Sequence, residues 1–221
     1  MTNTVNFDPS KKSVAVICYA PISDEKLLTT LKQLFSLRPA HWRMSLQLLL
    51  DRPSDSLLKL IESLGLAITV VPVKSSRKLA KSKRFALQNI SRDVEAIIWL
   101  DGRVNLNSAA YNQLNNFSTS YPSAILIGQF LDKSKSLVLA GGYQKSHLPI
   151  FGKRAVMADK LPVDVTAFDS ALVFIPNVVF NKIGNLGTRA SPASANRNFV
   201  RRAKRANFRT LVLPGSFGDF Q

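Results

Sequence analysis

Four short apolar runs, each the length of one buried strand, alternate with segments of helical spacing through the first half of the chain. The runs are Ser13–Tyr19 (SVAVICY), Ser45–Leu50, Leu66–Val73 and Ala96–Leu100. Between them, Asp24–Ser36 repeats Leu27, Leu28, Leu31, Leu34 and Phe35 on one face, behind Ser23 or Asp24 as a cap. Ser54 caps a helix to Leu64, which Gly65 stops. Lys78–Ile90 is a basic helix with Leu79, Phe85, Ala86 and Ile90 as its apolar positions. Strands separated by helices cannot join as tight hairpins, so they pair in parallel through right-handed crossovers. The expected fold class is α/β, with a mostly parallel central sheet flanked by helices.

The second half is less regular. Asn107 or Ser108 caps a helix that ends near Phe117, and Ala124–Phe130 is a further strand. Leu131–Val165 is rich in loops, with Gly141-Gly142, Pro149 and Pro162. Ala171–Ile175 is a strand that stops at Pro176. Val178–Ile183 is a short helix, Phe199–Ala206 a basic helix, and Arg209–Leu213 a last strand before Pro214-Gly215. There is no internal repeat, low-complexity segment or clean linker, so 1–221 is expected to be a single domain.

Composition narrows the function. The 46% hydrophobic content and 13 Phe are enough for a core. A single cysteine, Cys18, lies in an apolar strand and reads as a buried inert thiol; it excludes an intramolecular disulfide and a Cys-cluster metal site. The opening MTNTVNFDPSKK carries no apolar signal segment, and no apolar run approaches the ~20 residues of a membrane span. The expected location is cytoplasmic, with peripheral contact at the inner face of a membrane left open. Net charge is +16, from 30 Lys+Arg against 14 Asp+Glu. Two segments concentrate it: Lys74–Arg92 holds seven cations and Arg197–Arg209 six, and neither holds an acid. Such a field attracts polyanions, among them nucleotide phosphates and anionic lipid.

In an open parallel sheet, ligands bind beyond the carboxyl ends of the strands. Two acids stand at such ends, Asp51 after LQLLL and Asp101 after IIWL. One βα unit separates their strands, so both acids can border one crevice. Either acid alone also reads as a turn residue or helix cap. No P-loop, Rossmann glycine fingerprint or zinc spacing is present. His41 and His147 lack ligand spacing, and Trp99 reads as core.

The order of these features resembles the GT-A fold of family 2 glycosyltransferases. VAVICYAPISDEKLLTTLKQL resembles their opening strand and helix. LLLDRPSDSLLKLI resembles the strand and turn that hold the nucleotide base, and SRKLAKSKRFALQNI the following helix. IIWLDGRV resembles the strand that ends in their Asp-x-Asp motif. VTAFDSALVFIPNVVFNKIGNL resembles the acceptor-side segment, and NRNFVRRAKRANFRTLVLPGSFG the late acidic segment with its Arg-rich helix. The likeness runs from Ser13 to Gly218. It implies a nucleotide-binding half over 13–106 and an acceptor-side half over 107–221. It also implies a sugar nucleotide at Asp51, Ser54 and Asp101, and a glycan or lipid-linked acceptor.

Two departures bear on the chemistry. Arg103 stands where the family has the second acid of Asp-x-Asp, which holds a divalent cation, and a guanidinium has no lone pair to donate. The expectation is therefore no metal cofactor, with Arg103, joined by Lys83 or Arg84, on the diphosphate oxygens in the ion's place. Asn196 and Asn198 stand where the late segment has its catalytic acid, and an amide cannot take a proton from a hydroxyl at neutral pH. Asp169 and Asp164 remain as candidate bases or as supports of their loop. The alternative is a degenerate transferase kept as a binding or scaffold subunit. A nucleic-acid-binding protein is the weakest reading, because neither aromatic interleaving nor a DNA-reading motif accompanies the basic helices.

Overall fold

A computed structural model describes residues 11–20, 23–51, 53–73, 79–91, 93–131, 138–145, 153–169, 171–184 and 192–220. For 79–81, 83–84, 138–139, 145, 153–154, 192–194 and 220 it describes the backbone alone. Lys74, Arg77, Lys78, Arg92 and His147 lie outside the described residues.

Four parallel strands form one half of the main sheet in the order β3-β2-β1-β4: β1 (Lys12–Tyr19), β2 (Trp42–Asp51), β3 (Ile68–Val73) and β4 (Ala96–Asp101). The crossovers are α1 (Asp24–Ser36), α2 (Asp55–Ser63) and α3 (Leu79–Gln88). Ser54 caps α2, its Oγ accepting from the Leu57 amide at 3.2 Å, and Gly65 takes φ 61° just past the helix end. Alternate residues of β1 enter different cores. Val14, Val16 and Cys18 pack under α1 and α2, whereas Ala15 and Ile17 pack with Ala86 and Leu87 of α3. Burial on both faces explains why the centres of these strands read as apolar runs with little period-2 alternation.

The second half adds β5 (Val104–Leu106), α4 (Ala110–Ser120), β6 (Ile125–Leu131), β7 (Val138–Ala140), β8 (Gly142–Lys145), β9 (Lys153–Val156), β10 (Val163–Asp164), β11 (Ala167–Phe168), β12 (Leu172–Pro176), α5 (Asn177–Ile183), α6 (Pro192–Arg205), β13 (Thr210–Ser216) and β14 (Gly218–Phe220). The main sheet runs β3-β2-β1-β4-β12-β6-β13-β10, with β7 on β6. In this sheet β1, β2, β3, β4, β6 and β13 point one way; β7, β10 and β12 point the other. β8, β9 and β11 form a small separate sheet, and β5 pairs with β14. α1, α2 and α4 cover one face of the main sheet and α3, α5 and α6 the other.

Two elements differ from the sequence reading. The 131–165 stretch contains strands of two to four residues, too short for a period-2 signal. The basic helix α6 begins at Pro192, well before Phe199. Proline suits the first turn, and the small residues that follow carry no hydropathy pattern. Asn196 and Asn198 are therefore helical.

Candidate functional site

The carboxyl edge of the parallel strands carries both strand-end acids. Tyr19 at the end of β1 pairs with Leu49 on one side and Asp101 on the other, so Asp51 and Asp101 flank β1. Two inter-strand spacings separate their strands, roughly 10 Å. Asp51 is exposed; the Asp101 side chain keeps 16% of its surface in solvent. Gly102 makes this corner possible. Its amide donates to the Tyr19 carbonyl at 2.7 Å, and a Cβ there would stand 2.7 Å from Ala20 Cα. Only glycine lets the chain leave β4 this close to β1.

Arg103 turns back onto Asp101. Its Nε donates to Oδ1 at 3.0 Å and its Nη2 to Oδ2 at 2.7 Å, while its backbone amide also donates to Oδ1 at 3.0 Å. The side-chain bonds, foremost, raise the pKa of the guanidinium above its ordinary range. Arg103 also borders a depression of about 300 Å³ on the side of α1, lined by Glu25, Lys26, Thr29, Thr30 and Gln33. Its lining is rich in hydroxyl, amide and charged groups, and it includes neither Asp51 nor Asp101.

Asp169 reaches the same edge. The Asp101 amide donates to the Ala171 carbonyl at 2.9 Å, which sets the start of β12 beside the end of β4. The Tyr143 hydroxyl donates to Asp169 Oδ2, and the Asp169 amide donates to the Gly141 carbonyl at 2.8 Å. Burial, and then the bond to Asp169, push the Tyr143 phenol up. In the sequence Gly141-Gly142-Tyr143 reads as a plain turn or a flexible acceptor loop; the tie of Tyr143 to Asp169 spans 26 positions and leaves no local signal. Gln129 was also missed. It is fully buried, donating to the Ala158 carbonyl at 2.6 Å and accepting from the Ala158 amide at 3.1 Å.

Other candidates do not converge here. Asp164 lies on β10 beside Leu211, near the start of β13 and so at the opposite end of the sheet. It pairs with Arg209 at 2.7 Å. Asn196 is 5% exposed, and its Nδ2 donates to the Phe168 carbonyl at 3.0 Å, clamping α6 to β11. Asn198 faces solvent. Ser54 serves as the α2 cap. Lys83 and Arg84 fall on α3, and their side chains lie outside the described residues. His41 is an exposed surface residue beside Asn115, and Trp99 is core.

No protein-family model and no curated protein matches the sequence. Solved structures do match. GalNAc-T7 with UDP, GalNAc and Mn²⁺ superposes with a TM-score of 0.71 at 12% identity, over 94% of this chain and 43% of that one. The mannosyltransferase PcManGT from Pyrobaculum calidifontis, in complex with GDP-Man and Mn²⁺, gives 0.62 at 13% identity, over 96% and 57%. S. aureus TarS 1-349 gives 0.61 at 14% identity, over 95% and 60%. The chain thus spans about half the length of these structures.

The expectation of no metal cofactor is corrected by this comparison, since two of these structures hold Mn²⁺. It assumed that Arg103 takes the place of the cation on the diphosphate, whereas here the Arg103 Nε and Nη2 groups donate to Asp101. Among the described residues no group of three or more His, Cys, Asp and Glu side chains is arranged to hold a metal unaided. A cation that arrives with a diphosphate needs fewer, because one or two carboxylates suffice beside phosphate oxygens and water. Asp101 has the chemistry for one such position. At these identities the likeness is one of architecture: the chain has the GT-A fold of sugar-nucleotide-binding glycosyltransferases.

Proposed function

We propose that the protein binds a sugar nucleotide at the carboxyl edge between Asp51 and Asp101 and transfers the sugar to a glycan or lipid-linked acceptor. The observation that carries this reading is the pair of acids flanking β1 at the ligand-binding edge of a GT-A sheet. Asp51 accepts from the base or ribose, and Asp101 offers an oxygen to the divalent cation that accompanies the diphosphate. That cation, when bound, supplies positive charge to the departing phosphate oxygens.

In the transfer, the acceptor oxygen forms a bond to the anomeric carbon while the bond to the phosphate oxygen breaks. The electron pair leaves with the nucleoside diphosphate, and the hydroxyl proton passes to the Asp169 carboxylate. Tyr143 holds that carboxylate at the edge. A positioned base of this kind is worth typically ~10²–10⁴ in rate.

The second reading is a binding or scaffold subunit without turnover. It is favoured by Asn196, whose amide is a buried donor to a backbone carbonyl and has no basic character. Titration calorimetry with UDP, GDP, UDP-GlcNAc and GDP-Man, with and without Mn²⁺, tests the common element. One nucleotide should bind, and Asp51→Asn with Asp101→Asn should weaken it at least ~10-fold, the scale of one lost charged hydrogen bond. If all four fail to bind in Mn²⁺, both readings fall. Product analysis with the bound donor then separates transfer from binding alone.

A further inference from the structure

α6 is a two-sided helix. Ala195, Phe199, Val200 and Ala203 are buried against the sheet. Arg197, Arg201, Lys204 and Arg205 are exposed on the outer side. At 100° per residue those four cations span an arc of roughly 100°, one face of the helix. No acid offsets them from within the chain's later part, since none occurs between Ser170 and Gly218. The described acid that pairs with a neighbouring cation, Asp164, is held by Arg209 beyond the helix end.

The same side of the molecule carries apolar groups. α5 adjoins α6: a Cβ on Gly184, at the end of α5, would lie 4.0 Å from Arg202 Nη1. Val178 of α5 is 56% exposed, and Phe85 of α3 is 55% exposed. Both helices bury their inner residues, Val179 and Ala86, in the core that also takes Phe199. The outer surfaces of α5 and α6 thus place cations near the exposed Val178, and Phe85 adds an exposed apolar side chain farther along the same sheet face, where α3 packs over β2 and β3. Among the described residues no helix is long and apolar enough to cross a membrane.

We propose that this α3–α5–α6 layer is a docking surface for an anionic lipid bilayer. Headgroup phosphates match the arginine and lysine face, and the apolar side chains gain by entering the headgroup–acyl boundary. A nucleic acid satisfies the cations, and unpaired bases can stack on Phe85, but it offers the aliphatic Val178 no apolar phase. The inference stands apart from transfer chemistry at Asp101, because none of the residues named here belongs to that edge.

The test is co-sedimentation of the full chain with phosphatidylcholine vesicles, with or without about one-third phosphatidylserine. A random single-stranded oligonucleotide is titrated in parallel, at low and at physiological salt. Each Lys or Arg beside an anionic leaflet contributes about fivefold to partitioning. Arg201→Gln, Lys204→Gln and Arg205→Gln together should therefore cut binding to anionic vesicles roughly 100-fold. The same charge removed from the opposite layer, by Lys32→Gln, Arg38→Gln and Lys59→Gln, should cost less than about tenfold, reflecting net charge alone. Val178→Ser should lower vesicle binding while leaving oligonucleotide binding unchanged. Equal losses from the two triple variants overturn the proposal, as does equal binding to both kinds of vesicle. So does oligonucleotide binding that survives salt at which the vesicles are released.

Discussion

Arg103→Gln isolates the contact that most distinguishes this edge. In the native chain Asp101 accepts two side-chain bonds from one guanidinium, at 2.7 and 3.0 Å. A hydrogen bond to a charged group is worth ~1.5–3 kcal/mol when sheltered. An exposed ion pair is worth ~0.2–1 kcal/mol. The Arg103 side chain is 46% exposed and Asp101 is 16% exposed, so the pair falls between these limits, at about 1–2 kcal/mol. A cation that binds Asp101 must displace this contact. Glutamine removes the charge and the fork, leaving the carboxylate accessible. The expected result is Mn²⁺ binding tighter by about 5- to 30-fold in the presence of UDP or GDP. Calorimetric titration of Mn²⁺ into each protein measures it directly, and Mn²⁺ paramagnetic resonance gives an independent count of free ion. Unchanged Mn²⁺ affinity would show that Asp101 is not where the cation binds. Weaker nucleotide binding in Mn²⁺ would show that Arg103 grips the diphosphate.

Further outcomes follow from the same geometry. Asn196→Asp should destabilise the fold by ~1–3 kcal/mol, because a buried donor facing the Phe168 carbonyl becomes an acceptor; a thermal melt lowered by less than a degree would refute the clamp. Asp169→Asn should reduce any measured transfer by ~10²-fold or more, while Asp164→Asn, at the other end of the sheet, should change it less than about twofold. The reverse pattern would reassign the base. Cys18 is fully buried; burial first, and then the Asp101 charge, push its thiol up to about 12. It should resist a thiol reagent near neutral pH until the chain unfolds. The unfolded thiol ionises near ~8.5, so the folded chain keeps its proton longer. This contribution to stability is intact below about pH 8.5 and declines as pH rises towards 12. Cys18→Ala should flatten that alkaline decline, and a decline unchanged by it would refute the assignment.

The first half of the fold was legible because its signals are local. Apolar runs at helix-separated intervals specify parallel pairing, and the β1–β4 strands and their three helices fall where periodicity, the Ser54 cap and Gly65 put them. The positions of Asp51 and Asp101 at strand ends follow from the same pattern, since a charged residue ends an apolar strand wherever the sheet meets water. Tertiary structure alone decided the rest. β12 enters antiparallel between β4 and β6, which sets Ala171 beside Asp101 and so brings the chain that carries Asp169 to the same edge. β10 returns at the far end of β13 and carries Asp164 away. α6 reaches back to Pro192 and converts Asn196 from a site candidate into a buried clamp. Arg103 folds onto its neighbour Asp101, a rotamer choice that sequence spacing does not specify. Apart from that local choice, the deciding contact joins distant segments or depends on which side of a packed element a residue faces. Residue order constrains such contacts only after the sheet has assembled.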